Sequence, residues 1–142
     1  MSTKPFSPSP RRIILDTAPG GDDIFAFLWL QSVMHQGLAD LMAVTTAEGN
    51  VAAARTFASA SQVLALGNLS HIPVGRGVRV TEYTTEDASH IHGSDGMGNL
   101  SSTLAPPTHD YVSAPFSDDL IIETLQAHPG EITLLAIGPL TN

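Results

Sequence analysis

The densest run of side chains able to do chemistry is Asp16-Thr17-Ala18-Pro19-Gly20-Gly21-Asp22-Asp23. Three carboxylates fall in that short stretch, and like charges so close repel unless a cation, a cap or protonation relieves them. Two readings stay open on the residues alone. One is a cation-holding corner. The other is a helix N-cap followed by a solvated acidic first turn, where negative charge suits the helix dipole. Two further stretches carry polar groups: Thr45-Thr46-Ala47-Glu48-Gly49-Asn50 and Ser89-His90-Ile91-His92-Gly93-Ser94-Asp95-Gly96-Met97-Gly98. Cysteine is absent, which excludes disulfide scaffolds, zinc-thiolate sites and cysteine nucleophiles. The Gly-Gly turn lacks the lysine of a phosphate-binding P-loop, which disfavours phosphoryl transfer.

These residues need elements to hold them. Arg12–Asp16 is apolar and β-branched, a short buried strand ending on an acid. After the Pro-Gly-Gly turn, residues 22–36 read as a helix, and the all-apolar block Ile24–Leu30 suggests that it is deeply buried, with Trp29, Met34 and Met42 in the core. Residues 41–46 form a second strand, and Asn50 is a good N-cap for a helix running to residue 66, which Gly67 stops. Residues 72–74 are a third strand, weakened by Pro73. Residues 76–114 have no period, and a loop that long is more often functional than accidental. A helix over 116–128 and a strand over 131–137 follow, with Asp118 and Asp119 suiting the helix start. His35, His71, His109 and His128 read as ordinary surface or helix-end residues. Alternating strands and helices predict an α/β fold with an open, mostly parallel sheet and right-handed crossovers. Ligands of such sheets sit beyond the carboxyl ends of the strands, where Asp16, residues 46–50 and residues 137–142 lie.

Charge and length narrow the class. The chain has 142 residues with 14 acids against 6 bases, a net charge of −8. Only Arg55, Arg76 and Arg79 lie beyond residue 12. A nucleic-acid partner would need a basic stripe and is not expected. No run approaches the roughly 18–20 apolar residues of a membrane span, so no membrane partner is expected either. Residues 1–11 are rich in serine and proline without an apolar h-region, and read as a disordered leader of a cytoplasmic protein. Residues 12–142 then form the folded part. The last strand is followed by Gly138-Pro139-Leu140-Thr141-Asn142 and no helix. A buried parallel strand needs both faces covered, so the chain reads as cut inside a larger, Rossmann-like fold, with self-association as a homo-oligomer expected of its open faces.

Four segments carry a resemblance. Ile14-Leu15-Asp16-Thr17-Ala18-Pro19-Gly20-Gly21-Asp22-Asp23 is similar to the DTDPGxDD signature of the inosine–uridine-preferring nucleoside hydrolases. Val44–Asn50 resembles that family's TTxxGN loop, Ser89–Gly98 its HxHGxDGxG loop, and Ala136–Asn142 its GPLTN segment. The resemblance implies hydrolysis of the N-glycosidic bond of ribonucleosides to ribose and free base, in purine and pyrimidine salvage, with water activated by Ca²⁺. The transition state of such a cleavage is oxocarbenium-like, and calcium, with about 6–8 oxygen ligands, can hold both a water and a ribose diol. By position the resemblance implies Asp23 as a metal ligand, Asp16 as a further acid near the metal, and the Ile137 main-chain carbonyl as another ligand. It implies Asp22 beside the attacking water and the ribose hydroxyls as the catalytic carboxylate, in the place of the missing base, with Asn50 on the ribose and His92 toward the nucleobase.

Two departures from the pattern matter. Ala18 stands where the family has an acid that binds calcium and serves as the favoured base, and a methyl group does neither. The family's distal metal-binding Asp and the His that assists the leaving base have no counterpart in these 142 residues. The expectation is therefore a nucleoside hydrolase-type protein, weak in calcium and impaired or inactive as this chain. The alternative is a non-catalytic isoform or pseudoenzyme that binds ribosides or a homologous subunit.

Overall fold

The computed structural model describes residues 9–78 and 88–142. The leader expected over 1–11 lies mostly outside the described residues, and the first strand begins within its last positions. The elements run β1 (Arg11–Thr17), α1 (Gly21–His35), β2 (Ala39–Thr46), α2 (Ala53–Leu66), β3 (Val74–Gly75), α3 (Ser89–His92), a 3₁₀ turn at Ser101–Thr103, α4 (Ser117–Ala127) and β4 (Ile132–Ala136). All strand pairings are parallel, in the order β3-β2-β1-β4. The chain steps outward from β1 to β2 to β3, then returns across to pair β4 with the other side of β1. Strand order reverses at β1, and the crevice beyond the carboxyl ends there is where open α/β sheets bind ligands.

Alternation along the strands sorts the layers. Leu15, Leu41 and Val44 face the larger core, with Phe27 and Leu30 of α1 and Phe57, Val63 and Leu64 of α2. Ile14 and Ala43 face the opposite side, against Leu120 of α4. A register irregularity between Ile13 and Ile14 lets both patterns meet β2. The sheet is therefore wound on both faces, as the pattern of elements predicts.

Several details differ from expectation. The third strand is displaced to Val74–Gly75; Pro73 cannot donate to a ladder, and its carbonyl instead accepts from the Val44 amide at 3.0 Å. Helix α1 is not deeply buried. Phe25 is 79% exposed and Trp29 65% exposed, with Leu28 beside them, so the apolar block covers the core on one stripe and leaves the other open. Trp29 is thus no core residue, whereas Met34 packs against the larger core and Met42 is half-buried. Asn50 does not cap α2, whose N-cap is Ala52. The aperiodic stretch holds α3 and the 3₁₀ turn, and its residues 79–87 lie outside the described ones. Among the described residues no helix is long and apolar enough to cross a membrane.

Candidate active-site corner

The corner forms where β1 turns into α1. Gly20 is the N-cap of α1, extended at φ −114°, ψ −170°. Asp23, in the first turn, reaches back so that its Oδ2 accepts the Gly20 amide at 3.2 Å. Its Oδ1 accepts the Thr17 hydroxyl at 2.9 Å. Asn50, arriving from the carboxyl end of β2, donates through Nδ2 to the Ala18 carbonyl at 2.9 Å and to Asp23 Oδ2 at 3.4 Å. His92 closes the opposite side, its Nδ1 accepting the Gly21 amide at 3.3 Å. Only glycine fits between these two side chains. A Cβ on Gly20 would lie 2.5 Å from Asn50 Nδ2 and 2.8 Å from His92 Nδ1. Asp23, Asn50 and His92 are therefore brought together around one turn. Asp22 sits on the same first turn with its side chain exposed.

Asp16 occupies a different place. It precedes Thr17 on β1, so the two side chains leave opposite faces of the strand. Thr17 points to Asp23, while Asp16 Oδ1 accepts the Thr45 hydroxyl at 2.6 Å and the Asn142 amide at 2.7 Å. Ile137 continues β4 beside β1, its amide donating to the Asp16 carbonyl at 2.9 Å. Burial pushes the Asp16 carboxyl above the usual carboxylate range, against the lowering effect of Thr45 and Asn142. Burial does the same to Asp23, helped by the Asp22 charge and opposed by Thr17, Gly20 and His92. Burial disfavours the charged form of a carboxyl group.

Position 18 lies inside the corner. Ala18 is 2% exposed. Its Cβ lies 3.1 Å from where a Cβ on Gly49 would stand, a spot also 2.9 Å from the Pro139 ring. One test of calcium is the donor set. Asp23 and Asp16 turn their carboxyl groups to different partners, Ala18 brings no side-chain oxygen, and Asp22 faces solvent. Among the described residues no group of three or more His, Asp or Glu could hold a metal ion. That set falls short of the about 6–8 oxygens calcium takes, so the residues present do not fit a tight calcium site.

The comparisons with known proteins agree with the fold. The family model for inosine-uridine preferring nucleoside hydrolase matches residues 13–142. This chain belongs to that family. It is 34% identical over 135 residues to the inosine-uridine preferring nucleoside hydrolase of Leishmania major, covering 94% of this chain and 41% of that protein. A plant nucleoside hydrolase, PpNRh1, superposes with a TM-score of 0.78 at 35% identity, over 93% of this chain and 41% of that one. A purine-preferring ribonucleoside hydrolase from Gardnerella vaginalis shares the fold, with a TM-score of 0.77 at 22% identity. The chain thus spans about two-fifths of the length of the nucleoside hydrolases it matches.

Some residues that build the corner carried no signal as single letters. Asn142 donates to Asp16 Oδ1 and, at 3.2 Å, to the Thr46 carbonyl, and its Oδ1 accepts the Val78 amide at 3.3 Å, so one side chain ties the ends of three strands. Asp95 is buried within the His92 loop and accepts three backbone amides. His109 is not an ordinary surface residue: Nδ1 meets the Ser61 hydroxyl and Nε2 the Ile72 carbonyl, both at 2.9 Å, linking α2 to the approach of β3.

Proposed function

We propose that the β1–α1 corner is a ribonucleoside site of N-glycosidase type, and that this chain turns over slowly or not at all. The observation that carries the second half is Ala18, buried in the corner where the family pattern has an acid. Asn50 and His92 flank the same turn and would meet the ribose and the nucleobase, respectively. Asp22 is the exposed carboxylate on the first turn of α1 and the remaining candidate to accept a proton from water. Calcium, when bound, would supply a charge for the ribose hydroxyls and a more acidic water. Asp23 and the Ile137 carbonyl are the groups proposed to touch it, with Asp16 behind them. With Ala18 in place that binding is weak.

On this reading the protein serves nucleoside salvage in the cytoplasm and self-associates through its exposed apolar faces. The first test is an NMR titration of the ¹⁵N-labelled chain with inosine and with uridine. The expected result is shift changes concentrated at Gly20, Gly21, Asn50 and His92. Changes confined to other surfaces, or none at millimolar nucleoside, would remove the reading. The identical titration with calcium present separates metal-assisted from metal-free binding.

A further inference from the structure

We infer that Asp95 is a positioning residue: its carboxylate folds the loop after α3 into the one shape that sets His92 against the N-terminus of α1. This rests on the nucleoside reading only for what His92 is positioned to do. The loop is difficult to hold. Gly93, Gly96, Gly98 and Asn99 all have positive φ, from +63° to +80°, and glycine-rich backbone carries a large entropic cost of ordering. The Asp95 side chain stands at its centre. Oδ1 accepts the amides of Met97 and Asn99, and Oδ2 that of Ser101, each at 2.8 Å. One carboxylate thereby gathers amides from three separate positions of the loop, and hydrogen bonds to a charged acceptor are the strong kind.

The gathered loop is tied to His92 directly. The Gly98 amide donates to the His92 carbonyl at 2.7 Å, and the His92 amide donates to the Ala88 carbonyl at 3.0 Å. Ala88 in turn donates to the Asn50 carbonyl at 2.9 Å, so the loop and the ribose-side asparagine share a frame. The far side is anchored on α2, where the Ser59 hydroxyl donates to the Asp95 carbonyl at 3.3 Å and Gln62 donates to the Ser101 carbonyl at 3.0 Å. Met97 is buried in the larger core. A Cβ on Gly96 would lie 3.0 Å from Val51 and 3.1 Å from the Pro19 carbonyl, which places the loop directly against the corner. Burial works to raise the Asp95 carboxyl, but Ser101, Met97 and Asn99 outweigh it and hold the group ionised far below the usual range.

The test uses the full chain, ¹⁵N-labelled, without nucleoside. The readout is the His92 imidazole, whose Nδ1 accepts the Gly21 amide in the parent and so fixes the ring in the Nε2–H form. Asp95→Ala is expected to let the ring sample both tautomers. It should also speed exchange of the Met97, Asn99 and Ser101 amides by about tenfold or more, as loss of charge-assisted hydrogen bonds implies. Asp95→Asn keeps an oxygen for Met97 and Asn99 but turns an amide toward Ser101, so most of the His92 signature should return. Leu120→Ala, in the core on the other face of the sheet, supplies destabilisation without touching the loop and should leave His92 unchanged. If Asp95→Ala does not fold, the comparison of Asp95→Asn with Leu120→Ala decides. An Asn variant that speeds Ser101 exchange and shifts the His92 tautomer balance only in part, while Leu120→Ala shifts neither, supports the inference, and an Asn variant that leaves both as in the parent overturns it. A His92 signature that survives Asp95→Ala, or that Leu120→Ala disturbs equally, overturns it. Failure of inosine to shift His92 in the parent would instead count against the nucleoside reading and leave the Asp95 result standing.

Discussion

Asp16 and Asp23 show how much one residue of strand phase decides. Both are buried acids with raised carboxyl pKa values, yet Thr17 separates them, and Asp16 looks toward Thr45 and Asn142 rather than toward Asp23. A folded-state pKa above the unfolded one means that the folded chain holds the proton more tightly. The charge therefore costs stability as pH rises through the ordinary carboxylate range toward the raised value, and the full cost is present above it. Asp16→Asn, which keeps an oxygen for Thr45 and Asn142, should be more stable than the parent at pH 7, with the advantage shrinking toward pH 4. Urea denaturation across that range checks it, and an advantage that grows on acidification would contradict the sign. Position 18 yields a second expectation. Ala18→Asp adds a buried carboxylate to a corner that already strains to keep its charges. Without metal it should lower the melting temperature, and with calcium it should recover it, because ligand bound only to the folded state stabilises by mass action. Calorimetry should show higher calcium affinity in the variant than in the parent, since each added charged oxygen strengthens a hard-cation site. Equal affinity in both would mean that residue 18 does not reach the ion. Asp16, Asp22 and Asp23 were legible in sequence as candidates because three acids crowd one strand-to-helix corner, whereas Asn50 and His92 were candidates through the family resemblance. Their partners were not legible. Nothing in the letters Asn142 or Asp95 says that one joins three strand ends and the other gathers three amides, because both roles depend on contacts distant in sequence or on loop geometry.

At the level of elements, the turn between β1 and α1 is the piece on which the site depends. Gly20 is held between Asn50 and His92 with no room for a methyl group. Gly20→Ala should force one of them away and cost about 1–3 kcal/mol, the usual range for overpacking a closed site. Denaturation measures that loss, and the His92 and Asn50 side-chain resonances should move with it. An unchanged melting curve would show that the turn has slack. Helices α1, α2 and α4 and three of the strands could be read to within a few residues from their apolar runs and the turn residues between them, whereas α3 lies in the stretch without period. The third strand could not be placed, because it is only two residues long and Pro73 precedes it. Helix α1 misled for a different reason. A block apolar on every side has no periodic cue to say which residues face the core, and Phe25 and Trp29 turn out to face solvent.

Across the described residues, the exposed apolar side chains include two neighbouring groups: Phe25, Leu28 and Trp29 on α1, and Ile122, Leu125 and Leu134 along α4 and β4. β4 is also an edge strand, and an open apolar edge invites pairing. Light scattering at tens of micromolar should show self-association, and Trp29→Gln should reduce it while changing fold stability by no more than about 0.5 kcal/mol, as befits an exposed position. Since Trp29 is the only tryptophan, its emission should shift to the blue as the parent is concentrated. A monomer with unchanged emission throughout would contradict this. The parallel sheet and its winding were readable in advance from the alternation of elements, whereas the exposed face of α1 was not. On the proposed reading, the corner keeps the family's nucleoside-facing residues but lacks the means to hydrolyse. Ribose release from inosine, uridine, adenosine and cytidine, measured on this chain with calcium beside a family-length nucleoside hydrolase, tests it most directly. Release should be indistinguishable from the protein-free control, because groups that act as a unit leave no proportionate remainder when members are missing. Turnover comparable with that of the family-length enzyme would contradict it.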